Sequence, residues 1–152
     1  MKTYFWRGGG IPGLAAGLIL GCFFKGIQAW SGEPVYVLLL TIDYLPVVGG
    51  ADLPEGAAFL LHLLISCLAA WVIHRIILRR RWTGKRRWAA LMGAGIGIGV
   101  LLYPTSFLSA YTPHDFAPVF LTWWLAGHLL YGITLGLMGT GIHPRVSAER
   151  LP

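Results

Sequence analysis

Charged residues are scarce in this chain, and their scarcity limits the kinds of protein it can be. Only 12% of its 152 residues are charged, whereas 56% are hydrophobic. A soluble domain of this size needs many more polar residues to cover its surface. The few polar residues also form short blocks between apolar runs, whose lengths approach the roughly 20 residues that a helix needs to cross a bilayer. The composition therefore predicts an all-α membrane protein with several spans.

Cysteine is also scarce, and its positions exclude a disulfide-based fold. Cys22 and Cys67 both lie within apolar runs, where the disulfide framework of a small secreted domain is not expected. We interpret both as small apolar packing residues. A leader cleaved at "LILGC" is disfavoured, because large Ile19 and Leu20 precede Cys22 and the run is long enough to span.

Four apolar runs account for most of the chain. They predict transmembrane helices over residues 9–30, 56–78, 88–108 and 116–140. The connections are a basic loop at 79–87 and two other loops at 31–55 and 109–115. Spans and loops use up residues 1–152 as a single transmembrane domain, which leaves no room for a soluble catalytic domain.

The twelve lysines and arginines predict how the chain is threaded. Two precede the first span, two follow the fourth, and Lys25 lies inside the first. The other seven lie at the end of the second span and in the basic loop that follows it: Arg75, Arg79, Arg80, Arg81, Lys85, Arg86 and Arg87. Because cations in short loops resist translocation, we expect both termini and the basic loop in the cytoplasm. The acidic residues fall mainly in the other two loops, which we place outside.

The basic loop has two interpretations. Its cations would attract anionic lipid headgroups at about 1 kcal/mol each, or they would serve only to fix the topology. No nucleic-acid partner is expected, because a short hairpin offers too little surface.

The first outer loop contains an apolar segment, "VYVLLLTIDYLPVV", from Val35 to Val48. It is short for a span, and a fifth crossing here would place the basic loop outside. We therefore expect an interfacial or re-entrant segment that lies back on the bundle and is interrupted by Asp43.

Glycines at four-residue intervals predict where the helices touch. Small residues let helix backbones approach closely in lipid. We expect such contacts at Gly13, Gly17, Gly21, Gly93, Gly97, Gly132 and Gly136. Glycine faces that remain exposed would suit a homo-oligomer or a larger membrane complex.

Four polar side chains within the spans form a candidate pocket: Lys25, His62, Ser66 and His128. They lie on the small-residue faces of three spans. At about 1.5 Å per residue, Lys25 and His62 lie about 8–9 Å below the outer end of their spans, and His128 about 17 Å below. Ionisable groups at such depths are functional candidates, because burying them unpaired is costly.

Structural roles for these residues remain open. Lys25 can extend to the interface or pair with Glu33, Asp43 or Asp115. His62 and His128 can instead hydrogen-bond to neighbouring helices.

Cofactors are not expected. Two histidines on facing helices can ligate haem iron, but the depths of His62 and His128 differ by about 8 Å. The inner faces carry no carboxylates, and no histidine–glutamate pair has zincin spacing. The chain therefore has no predicted metal site and no predicted catalytic residue.

Short motifs in all four spans resemble those of a known family. They are "GLAAG" before Lys25, "HLLIS" at 62–66, Trp88 before a glycine-rich run, "YPTSF", "TPHDF" and "GHLLYG" at 127–132. In these the chain resembles the YagU-type family of small bacterial inner-membrane proteins and, more distantly, the YqhR-like membrane proteins of endospore formers.

The resemblance implies a multi-span bundle of unassigned molecular activity that is associated with stress physiology. It provides no substrate and no catalytic residue. We therefore expect a non-enzymatic accessory or stress-related component of the bacterial inner membrane. The alternative is a small transporter or proton-conducting subunit that uses the pocket of Lys25, His62, Ser66 and His128.

Overall fold

The computed structural model describes residues 9–40, 53–105, 108 and 118–139, and these residues contain helices but no strand. The helices are α1 (Ile11–Ser31), α2 (Val35–Leu40), α3 (Glu55–Arg79), α4 (Gly84–Thr105) and α5 (Pro118–Met138). All except α2 are long and apolar enough to cross a membrane. The predicted class, an all-α bundle with four membrane-length helices, is confirmed.

The helix ends differ most from the prediction at the basic loop. Helix α4 begins at Gly84 rather than at residue 88, so the loop predicted over 79–87 shrinks to residues 80–83 and its last cations are helical. The turn is tight because Arg81 and Gly84 both have positive φ, 52° and 51°. Glycine adopts this conformation without steric cost. Below, this end of the bundle is called the basic end.

Helix α1 packs against both α3 and α5, while α4 packs mainly on α5 and makes few contacts with α3. Every helix contributes to one buried apolar cluster, which includes Leu20, Phe24, Leu38, Ala70, Leu91 and Leu135. On the outside of α3, Leu60, Leu64 and Leu68 are each more than half exposed. Such an apolar exterior suits lipid rather than water as the surrounding medium.

Helix α2 is the first part of the apolar segment predicted over 35–48. It lies against α1 and α3, with Val35 and Leu38 buried. The side-chain oxygen of Gln28 accepts hydrogen bonds from the backbone N–H groups of Tyr36 (3.1 Å) and Val37 (3.2 Å), which fixes the start of α2 to α1. Residues 41–52, with Asp43, lie outside the described residues, so an interruption at Asp43 stays a prediction.

Close helix contacts occur at five of the predicted glycines. A Cβ added to Gly13 would lie 2.6 Å from Cys67 Cα, and one added to Gly132 would lie 2.5 Å from the backbone oxygen of Leu91. Both distances are too short for a real side chain. Added Cβ atoms would also meet neighbouring side chains at Gly17, Gly21 and Gly136.

The contacts predicted at Gly93 and Gly97 are not seen in the described part of the chain. A Cβ at either position would meet nothing within 4 Å among the described residues. The glycines of α4 that touch α5 are instead Gly95 and Gly99, where an added Cβ would clash with the backbone or ring of His128. The two rows are offset by two residues, about 200° around a helix, so they face nearly opposite directions.

Candidate polar site

Lys25 lies near the end of α1 and forms an ion pair with Glu55, the first residue of α3. The Lys25 Nζ to Glu55 Oε1 distance is 2.8 Å, and the two side chains are 65% and 60% exposed. The antiparallel packing of α1 on α3 explains the pairing. Because the helices are antiparallel, a residue four positions later in α1 lies opposite a residue four positions earlier in α3. Gly21 contacts Phe59, so Lys25 lies opposite Glu55.

Of the predicted partners of Lys25, only Glu33 lies among the described residues, and no ion pair joins it to Lys25 there. Glu55 holds the Lys25 ammonium instead of Glu33, which follows the helix-ending Gly32 (φ 77°). Asp43 and Asp115 lie outside the described residues. The register of the glycine row would have identified Glu55 from the sequence, had α1 and α3 been aligned as antiparallel neighbours.

Tyr36 of α2 completes this group, which is called the acidic-end cluster below (Lys25, Tyr36 and Glu55). Its hydroxyl donates to Glu55 Oε1 at 3.1 Å, and Lys25 Nζ lies 5.1 Å from the centre of its ring, within the range of a cation–π contact. Burial, and then the hydrogen bond to Glu55 and its charge, raise the pKa of the Tyr36 phenol. The cluster attaches α2 to the ends of α1 and α3.

His62 and Ser66 both face α1 from α3. The His62 ring nitrogen Nε2 lies 3.4 Å from the backbone oxygen of Gly17. Buried Ser66 donates from its hydroxyl to the backbone oxygen of Gly13 at 2.6 Å. Close approach at the glycines thus brings α1 carbonyl oxygens within reach of α3 side chains.

Tyr131 of α5 joins this contact and was missed by the sequence analysis. Its hydroxyl donates to the backbone oxygen of Ser66 at 3.0 Å, and its side chain is buried. The sequence did contain a sign of this role: Tyr131 follows His128 by three residues, so the two side chains lie on the same side of the helix. Ser66 therefore lies where α1, α3 and α5 meet.

His128 is enclosed on α5. Its Nδ1 lies 2.9 Å from the backbone oxygen of Trp124, and because a carbonyl oxygen only accepts, Nδ1 carries the hydrogen. The rings of Trp124 and Phe24 lie 4.4 and 5.9 Å from the His128 ring, centre to centre. Both histidine rings are thus packed against protein groups, His62 on the backbone oxygen of Gly17 and His128 against Trp124 and Phe24.

The four residues of the predicted pocket are not joined into one hydrogen-bonded group, although His62 and His128 lie close enough to interact electrostatically. Among the described residues, no hydrogen bond joins any two of Lys25, His62, Ser66 and His128. Lys25 lies at an exposed end with Glu55, whereas Ser66 and His128 are buried within the bundle. Each has its own partner.

A second polar group, missed by the sequence analysis, lies at the basic end. His74 of α3 is buried, and its Nδ1 donates to the backbone oxygen of Ala70 at 2.9 Å. The guanidinium of Arg87 on α4 donates to the backbone oxygen of Gly139 after α5. These three residues, His74, Arg87 and Gly139, are called the basic-end cluster.

No metal centre accompanies these groups: within the described part of the chain, no three His, Cys, Asp or Glu residues are placed to hold an ion. Comparison of the chain with protein-family models, curated proteins and solved structures found no match. Fold and site together define a multi-pass α-helical membrane protein. Membership of the YagU-type family stays a prediction.

Proposed function

We propose that this chain is a non-enzymatic membrane component, with an accessory or stress-related role, rather than a transporter or an ion-conducting subunit. The observation that supports this is the separation of Lys25 from His62, Ser66 and His128. A conducting pathway needs polar groups that follow one another across the bundle. Here Lys25 is paired with Glu55 at the surface, and the other groups are bonded inside.

The buried polar side chains also have partners that suit a packing role. The hydroxyls of Ser66 and Thr134 and the Nδ1 atoms of His74 and His128 each contact a backbone carbonyl oxygen. Such bonds satisfy polar groups within the protein and, at Ser66, join two helices. This use of polar residues gives a stable apolar-surfaced bundle that acts through lipid or protein partners.

Proton flux into liposomes tests this proposal. The purified chain is reconstituted with a pH-sensitive dye inside, and a pH gradient is imposed. We expect the same leak as in liposomes without protein, for the wild type and for Lys25→Ala and His128→Ala. A flux that disappears in His128→Ala, at unchanged amounts of folded protein, would establish the transporter instead.

We further propose the bacterial inner membrane as the location, with both termini and the basic end in the cytoplasm. The charge distribution supports this threading. Cysteine labelling tests it: Cys22 and Cys67 are replaced by alanine, and one cysteine is placed at Lys85 or at Leu53. A membrane-impermeant reagent added outside should label position 53 only; labelling of position 85 alone would reverse the threading.

A further inference from the structure

The basic-end cluster has a polar atom that the proposed function leaves unexplained. The His74 side chain is only 3% exposed. Its Nδ1 is bonded to Ala70, but its Nε2 has no hydrogen-bond partner among the described residues. Since Nδ1 carries the hydrogen, Nε2 of the neutral ring is an acceptor without a donor. A buried polar atom of this kind costs stability unless a partner binds it.

Donors for an anion lie directly beside this acceptor. A Cβ placed on Gly139 would be 2.5 Å from His74 Nε2 and 2.7 Å from an Arg87 guanidinium nitrogen, so both nitrogens are packed closely beside Gly139. Arg87 is only half-buried, and one of its N–H groups is held by Gly139. A guanidinium carries five N–H donors, so Arg87 has further N–H groups beyond the one that donates to Gly139.

The surroundings of the cluster are strongly cationic. Six exposed basic residues lie on the adjoining helix ends and turn: Arg75, Arg79, Arg80, Arg81, Lys85 and Arg86. The described acidic residues, Glu33 and Glu55, lie at the opposite end of α1 and α3. The charge therefore favours an anionic ligand at the basic end.

We propose that the basic-end cluster binds the headgroup of an anionic phospholipid that carries a hydroxyl, such as phosphatidylglycerol. Arg87 binds the phosphodiester through its planar guanidinium, and the headgroup hydroxyl donates to His74 Nε2. A lipid is favoured over free phosphate because the cluster lies at the ends of membrane-length helices, at the depth of the headgroups. The proposal requires a membrane location but neither the non-enzymatic role nor the threading.

Matched arginine variants test the phosphate contact. Binding of phosphatidylglycerol to the protein in detergent micelles is measured by native mass spectrometry for the wild type, Arg87→Lys and Arg79→Lys. Both variants keep the net charge. We expect about tenfold weaker binding for Arg87→Lys, which loses the guanidinium fork, and unchanged binding for Arg79→Lys. Equal binding by all three proteins would overturn the site.

The contact with His74 is tested by comparing the affinities of one protein sample for two lipids, because the ratio of two affinities does not change when some of the protein is unfolded. Phosphatidylmethanol has the same charge as phosphatidylglycerol but no headgroup hydroxyl. We expect the wild type to prefer phosphatidylglycerol about fivefold or more, and His74→Phe to bind both lipids equally. A wild type without preference would overturn the role of Nε2.

The source of the phosphate is tested by competition. Millimolar inorganic phosphate should leave phosphatidylglycerol bound to the wild type. Displacement by inorganic phosphate would show that the site binds free phosphate rather than a lipid headgroup. Because this readout is lipid binding, it is independent of the proton-flux assay that tests the proposed function.

Discussion

Helix α4 carries two rows of glycine with the same spacing but opposite surroundings. Gly95 and Gly99 face α5 so closely that an added Cβ would clash, whereas Gly93 and Gly97 face open space within the described structure. The same contrast separates the polar groups: Ser66 and Tyr131 are enclosed, while Lys25 is exposed. Glycine spacing alone thus shows that a helix can approach a neighbour closely. The position of the neighbouring helix determines which glycine row makes the contact.

The largest effect should come from adding one methyl group to the glycine row of α4 that faces α5. Gly95→Ala places a Cβ 3.0 Å from the backbone nitrogen of Gly132 and still closer to the oxygen of His128, so the helices must move apart. We expect a loss of about 1–3 kcal/mol in the free energy of unfolding. Unfolding in mixed detergent micelles, followed by circular dichroism, measures it.

Gly97→Ala is the matched control for this experiment. It adds the same methyl group to the same helix, where the structure offers space, so we expect no loss of stability. Equal losses for Gly95→Ala and Gly97→Ala would show that the outer row of α4 is also packed, for example in an oligomer.

A smaller loss of stability is expected when the buried hydroxyl group of Tyr131 or Ser66 is removed. Tyr131→Phe removes the hydrogen bond to the backbone oxygen of Ser66, and Ser66→Ala removes the bond to the backbone oxygen of Gly13. Hydrogen bonds between membrane helices contribute about 1 kcal/mol each, so each variant should lose about that much. The same unfolding assay applies.

The double variant sharpens this prediction. Ser66 and Tyr131 contact each other directly, with 3.4 Å between their hydroxyl oxygens, so the two losses should not simply add, and the difference measures the coupling between the residues. A Tyr131→Phe protein as stable as the wild type would mean that the hydroxyl does not hold α5 to α3.

The sequence was sufficient to predict the four long helices and the glycine contacts of α1. Helix α1 has one glycine row leading to Lys25, so only one face was available for close approach. Helix α4 has two, and periodicity cannot choose between Gly93 and Gly95. The choice depends on where α5 lies, which is a tertiary property.

The candidate site was less predictable than the fold. Depth along a helix placed Lys25, His62 and His128 in one half of the bundle, but depth does not give the direction in which a side chain points. Glu55 became the partner of Lys25 through the register of α1 against α3. His74 gave no signal, because its significance depends on Arg87 and Gly139, which are distant in sequence.

A still smaller effect should come from the exposed pair of Lys25 and Glu55. Because both side chains are largely exposed, water and salt screen their attraction. We expect Lys25→Met to destabilise the protein less than Tyr131→Phe does, and the difference from the wild type to shrink at 1 M salt. A loss comparable to that of Gly95→Ala would mean that Lys25 is enclosed in the membrane.

The smallest effect is expected from the Tyr36 phenol at high pH. Its pKa is raised by burial and by Glu55, so the folded protein holds the phenol proton more tightly than the unfolded chain does. The corresponding stabilisation is fully present below the usual phenol pKa of about 10. It is lost as the pH rises through the higher pKa of the folded state.

Ultraviolet absorbance of the phenolate measures this titration, with Tyr36→Phe as the reference that removes one phenol. The difference between the two curves should show a phenol that ionises above pH 10. Tyr36→Phe should also lack the part of the alkaline destabilisation that Tyr36 contributes. An ordinary pKa for this phenol would mean that α2 does not stay packed against Glu55, and the acidic-end cluster would then be as open as the outer face of α4.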